Sequence, residues 1–130
     1  MGRTTVTAAA PLEQRIGFAR AVRVGPHIAV SGTAPLAPDG TTACPDDLYG
    51  QTRRCLDIAL DAVREAGGQT AHVVRTRVYL TDIAHWRDAA RAHGEVFADT
   101  APACTFVQVT GFIGPDWLVE IELDAIVPEV

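Results

Sequence analysis

Glu120, Glu122 and Asp124 fall at every second position of "LVEIELDAIV", and Arg75 and Arg77 at every second position of "HVVRTRVYL". At the period of a β-strand each charged set shares one face. The opposite faces carry Val119, Ile121, Leu123 and Ala125 on one strand, and Val74, Thr76, Val78 and Leu80 on the other, with Tyr79 among the arginines. Three like charges along one strand repel unless they are solvated or paired. Two readings stay open: a wetted sheet face, which antiparallel sheets tolerate, or a subunit interface where arginines pair with carboxylates and line pockets. A thiol forms the second candidate. Cys104 lies in "TAPACTFVQVTGF", between a Pro-Ala pair and an alternating run. A nucleophilic thiol needs a cation or imidazole beside it, and His93 is the candidate base; the plainer expectation is a small, semi-polar wall residue.

The composition excludes whole classes of chemistry. All 11 basic residues are arginine, so Schiff-base catalysis, covalent pyridoxal chemistry and a Walker-type phosphate lysine are ruled out. A net charge of −5, with Arg53-Arg54 as the one adjacent basic pair, argues against nucleic acid as a partner. Cys44, Cys55 and Cys104 are widely spaced, and His27, His72, His85 and His93 form no HExxH or related pattern, so no metal is expected. "MGRTTVTAAAP" lacks the apolar core of a secretory signal, and no run approaches the ~20 apolar residues of a membrane span. Three cysteines without such a signal suggest free thiols in a reducing cytosol, so a cytoplasmic location is expected.

These residues need a scaffold to position them. At 130 residues the chain reads as a single domain, with 48% hydrophobic and 21% charged residues. "FARAVRVGPHIAVSGTAP" reads as two strands, 18 to 24 and 27 to 33, turning at Gly25-Pro26. "DDLYGQTRRCLDIALDAVREAGG" reads as a helix capped by Asp46 or Asp47 and ended by Gly67-Gly68, burying Thr52, Cys55, Leu56, Ala59, Leu60 and Val63. After the "HVVRTRVYL" strand, "TDIAHWRDAARAHGEVFAD" reads as a second helix, capped by Thr81 or Asp82, with Ile83, Trp86, Ala90, His93 and Phe97 along its stripe. Two strands, "CTFVQVTG" and "LVEIELDAIV", complete a β-β-α-β-α-β-β order, with a short further strand near Arg3 to Thr7. The expected fold class is α+β, a mixed sheet with two helices on one face.

The blocks "RAVRVGPHIAVSGTAP", "YGQTRRCLDIALDAVREAGG", "VVRTRVYLTD", "FADTAPACTFVQV" and "LVEIELDAI", in this order from Ile16 to Val127, resemble the RidA/YjgF family. That resemblance implies a chorismate-mutase-like fold and a homotrimeric barrel with a small-molecule cleft at each subunit interface. It favours the interface reading of the charged face. It also implies cofactor-independent hydrolysis of reactive enamines and imines, such as 2-aminoacrylate, to a keto acid and ammonia. Carried over by position, the family's glutamate falls on Glu120 and its "SG" motif on Ser31-Gly32. The arginine of the "PAR" motif, which grips the substrate carboxylate, is replaced by Cys104, followed by Thr105. The tyrosine of the "YS" motif becomes Phe18, and an asparagine of the second helix becomes Ala90.

A guanidinium–carboxylate fork is about twice as strong as a neutral hydrogen bond, and a thiol offers neither its charge nor its geometry. The expected cleft is therefore more apolar, walled by Phe18, Ala90 and Cys104, with Phe106 near it. Having lost its arginine neighbour, Glu120 is expected to titrate above its ordinary range and to act as a general acid or base. Backbone amides near Gly32 or Cys104-Thr105 would polarise the electrophile. The expected activity is a RidA-like hydrolase or deaminase of a small imine, enamine or related carbonyl compound. The alternatives are a non-catalytic small-molecule-binding or regulatory protein, or a diverged isomerase or cyclase. A ribonuclease is the least attractive class for so acidic a chain.

Overall fold

Period-two alternation builds one six-stranded sheet, and two amphipathic helices cover one of its faces. The computed structural model describes residues 2–8 and 10–128. In chain order it runs β1 (Arg3–Val6), α1 (Pro11–Ile16), β2 (Ala21–Val24), β3 (His27–Thr33), α2 (Leu48–Glu65), β4 (Val73–Leu80), α3 (Trp86–Phe97), β5 (Ala103–Gln108) and β6 (Val119–Ile126), with 3-10 turns at Thr70–His72 and Ile83–His85. The strand order is β1-β2-β3-β6-β4-β5. Every neighbouring pair is antiparallel except β4 and β5, whose parallel pairing requires the crossover that α3 supplies. The α+β class, the mixed sheet and the further strand near Arg3 all match the sequence reading.

One element escaped that reading. Helix α1 has six residues, starts on Pro11 and ends where Gly17 takes φ 86°. It is too short to display a helical period. Its residues share a groove with Thr5 and Val22 on the face that α2 and α3 leave open.

Helix α2 follows the expected stripe. Asp47 caps it by accepting from the Gly50 amide at 3.0 Å, and Thr52, Cys55, Leu56, Ala59, Leu60 and Val63 are all buried against the sheet. Burial pushes the Cys55 thiol well above its ordinary range, which leaves it an inert core residue. Gln51, on the same helix, is fully buried and satisfied. Its Oε1 accepts from the Leu118 amide at 2.8 Å, and its Nε2 donates to the Asp116 carbonyl at 3.2 Å. The loop that feeds β6 is thereby fixed to α2.

Two core assignments shift by a residue or more. Val73 is 3% exposed and Val74 43%, because the β4–β6 pairing steps irregularly between Val73 and Arg75 and turns Val74 outward. In the second helix a 3-10 turn precedes α3, so Ile83 and Trp86 are 39% and 38% exposed. The buried face is Ala89, Ala92, His93 and Phe97.

His93 is a core histidine, 8% exposed, with Nε2 2.8 Å from the Thr76 hydroxyl and its ring tilted on Phe97. Burial pulls its pKa below the ordinary value of 6.5. Below about 6.5 the unfolded imidazole takes up a proton that the folded one resists, so stability is full above that pH and falls as the pH drops. Melting temperatures should decline more steeply below this point in the wild type than in His93→Gln, which keeps a partner for Thr76 without titrating. Parallel curves would exclude His93 as the titrating group.

Candidate functional site

The site is built on a fault in the β3–β6 ladder. Val30 pairs with Leu123 and Thr33 with Ile121, so three steps along β3 match two along β6, and the extra residue lies at Ser31-Gly32. Glu120 is placed one residue beyond, on the face turned away from Val119 and Ile121. A Cβ on Gly32 would collide with Glu120 Oε1, so the carboxyl rests on bare backbone. Glycine is needed here for space, since side chains normally forbid so close an approach.

The bulge is tied to the segment entering β2. The Ser31 hydroxyl donates to the Ala19 carbonyl at 2.6 Å, and the Ser31 amide donates to Arg20 O at 3.0 Å. The Arg20 guanidinium donates to Gly32 O at 3.0 Å and to Thr33 Oγ1 at 3.4 Å. It also lies 5.4 Å from the Phe18 ring centroid, a cation–π distance. Phe18 and Ser31 line a groove of about 530 Å³ between α1 and the open face of β1 and β2, which Glu120 does not line. Arg20 and Thr33 line a second cavity of about 230 Å³ beside α2.

Desolvation raises the pKa of Glu120; Arg20 opposes the shift and Glu122 adds to it. A carboxyl so placed can hold or release a proton closer to neutral pH than a free glutamate. The rest of the open face is a connected network. The Tyr79 hydroxyl donates to Glu122 at 2.5 Å, Arg77 lies 3.5 Å from both Glu122 and Asp124, and His27 lies 3.4 Å from Asp124. Arg77 is thus paired within its own chain. Arg75 has no ion pair among the described residues, and no three metal-ligating side chains converge among them.

The remaining expected site residues lie elsewhere in the chain. Cys104 pairs in register with Thr76, so it faces the helices from the edge strand, whereas Glu120 faces the open side with β4 between them. Thr105 pairs with Arg77 on the open side and is exposed. Ala90 is half-buried on α3, and Phe106 packs beside Trp86 and His93. One chain thus unites Ser31, Gly32 and Glu120, joins Phe18 to them through Arg20, and leaves Ala90, Cys104 and Thr105 apart. Arg20 was missed because it sits in a bend before β2, where no periodicity marks it. The role of Gln51 was missed because its position on the buried stripe says nothing of its partners.

The family model described as endoribonuclease L-PSP matches residues 7–127. A Mycobacterium tuberculosis member of the YjgF/YER057c/UK114 family is 40% identical and superimposes with a TM-score of 0.88 over 97% of this chain and 100% of that one. The chain belongs to the RidA/YjgF family. An uncharacterised Streptomyces coelicolor protein shares 38% identity with this RidA/YjgF member, over 92% of the chain and 89% of its own length. Escherichia coli TdcF, crystallised with bound serine, shares the fold at 24% identity and a TM-score of 0.80, over 95% of this chain and 94% of that one.

Because desolvation dominates at Glu120, its ionised form burdens the folded RidA/YjgF chain above the carboxyl's folded pKa. The burden is relieved as the pH falls towards the ordinary glutamate value near 4.3. Glu120→Gln should therefore melt higher than wild type at pH 7, with the gain shrinking as the pH is lowered. Equal melting temperatures at pH 7 would show that the carboxylate is not desolvated.

Proposed function

We propose that this protein is a cofactor-independent hydrolase of small imines or enamines, with Glu120 as its proton-transfer residue. The observation that carries this reading is the Glu120 carboxyl, half-buried, resting on Gly32 and raised by desolvation while a guanidinium stands near. In the reaction, water adds across the C=N bond of an imine, and the resulting carbinolamine loses ammonia. One imine and one water give one carbonyl compound and one ammonia. Glu120 in its protonated form gives a proton to nitrogen, and as carboxylate it takes one from the attacking water. A backbone amide near Gly32 polarises the electrophile.

A homotrimer would complete the site. The charged open face and the edge strand β5 are the surfaces through which copies would meet, bringing Cys104, Thr105 and Ala90 of one subunit towards Glu120 of another. Serine bound to TdcF supports a small polar ligand. Cys104 supplies no cation, and both terminal nitrogens of Arg20 are engaged by Gly32 and Thr33. The lack of a cation at position 104 favours an uncharged or weakly charged substrate. Nuclease activity fits poorly with a net charge of −5, and no helix among the described residues is long and apolar enough to cross a membrane.

A second reading, a protein that binds a small molecule without turning it over or that serves as a diverged isomerase or cyclase, is favoured by the same lack of a cation at Cys104, whose thiol is exposed. A coupled assay that generates 2-aminoacrylate, run beside one that generates an uncharged imine, separates the two. Wild type should hydrolyse the uncharged imine, and Glu120→Gln should lose about 10²–10⁴-fold, the usual worth of a general acid or base. Cys104→Arg should gain specifically on the carboxylate-bearing substrate. Turnover untouched by Glu120→Gln would refute the role of Glu120, and turnover confined to Cys104→Arg would favour the second reading.

A further inference from the structure

We propose that Arg20 is the positioning residue of the Glu120 site, clamping the bulge on which the carboxyl rests and holding a positive charge near it without pairing to it. The proposal rests on reading Glu120 as the working acid, but its geometry stands by itself. Arg20 reaches 12 and 13 residues along the chain to Gly32 O and Thr33 Oγ1. Thr33 Oγ1 in turn donates to Ser31 O at 2.8 Å, so the hydroxyl and the guanidinium hold both sides of the bulge. No ion pair joins Arg20 directly to Glu120 among the described residues.

That separation has a chemical consequence. A direct fork would engage both carboxyl oxygens and depress the acid below its ordinary range. A guanidinium whose donors are turned to a carbonyl and a hydroxyl leaves those oxygens for a ligand, while its charge still reaches them through a half-buried setting where screening is weak. The other titratable groups that act on Glu120, or feel it, are Glu122 on its own strand, Tyr79 paired with it on β4 and Cys55 from α2. None of these is a cation. Glu13 of α1, 4% exposed, accepts from Thr7 Oγ1 and the Ala8 amide, and its charge helps to keep Arg20 ionised against burial. Glu13 and Glu120 thus both act on one guanidinium, coupling α1 to the site electrostatically.

The test is a carbon-13 NMR titration of the Glu120 side-chain carboxyl in wild type, Arg20→Met and Arg20→Lys, with the Gly32 carbonyl signal followed in parallel and no substrate present. Failure of the imine assay leaves this measurement untouched, and its own failure leaves the assay standing. Arg20→Met should shift the Glu120 midpoint upward and move the Gly32 signal. Arg20→Lys should restore the midpoint towards wild type but not the Gly32 signal, since one ammonium cannot span both acceptors. A folded Arg20→Met with an unchanged or lowered midpoint overturns the proposal. If Arg20→Met does not fold, Arg20→Lys decides: a displaced Gly32 signal supports the clamp, and a Gly32 signal and midpoint both equal to wild type refute it.

Discussion

The close approach of the Glu120 carboxyl to the bare backbone of Gly32 is the constraint around which the rest of the site is arranged. It depends on the extra residue in β3, which interrupts the β3–β6 ladder beside an acid that must face away from the core. It also depends on where β6 begins. The buried Gln51 amide holds the Leu118 N–H, two residues ahead of Glu120, so helix α2 sets the height of the carboxyl in the sheet. A core glutamine with its partners satisfied is a costly thing to place. In this fold it transmits the position of the longest helix to β6.

The same sheet divides its labour by face. Towards α2 and α3 it buries Val119, Ile121, Leu123 and Ala125 in a close-packed core. On the open side it carries alternating carboxylates that would repel one another if left alone. Arg77, placed between Glu122 and Asp124, and the Tyr79 hydroxyl offset that repulsion. Glu120 stands just outside the network. Its pKa is raised and not depressed because the nearest cation in the network serves its neighbours and Arg20 offsets the desolvation only in part.

Much of this was legible in the sequence because period and type agreed. The acids of β6 and the stripe of α2 could be assigned to faces from spacing alone, and both faces were assigned correctly. The failures came where local geometry breaks a period. The irregular step at Val73–Arg75 turned Val74 out, and the 3-10 turn at Ile83–His85 rotated Ile83 and Trp86 away from the core. Helix α1 was too short for a period to register. The Ser31-Gly32 pair was visible as a motif, but the reason for its glycine needed coordinates. Arg20 left no trace, because hydrogen bonds that cross between strands depend on side-chain reach and not on spacing.

Charge placement then bears on ligand choice. An arginine on β5 at position 104 would have offered a free fork at an exposed strand edge, suited to gripping a carboxylate from outside. The guanidinium this chain does place near Glu120 comes from within, and its donors are directed at the backbone bulge and a threonine hydroxyl. A cation used in this way stabilises the scaffold and biases the acid, with one donor of each terminal nitrogen committed to Thr33 and Gly32. On the proposed reading, recognition would draw on shape and on neutral hydrogen bonds, which discriminate well against a ligand that would bury an unpaired charge. A thiol in place of a cation on the edge strand, with a committed guanidinium near Glu120, is the charge pattern on which the proposal of a weakly charged ligand rests.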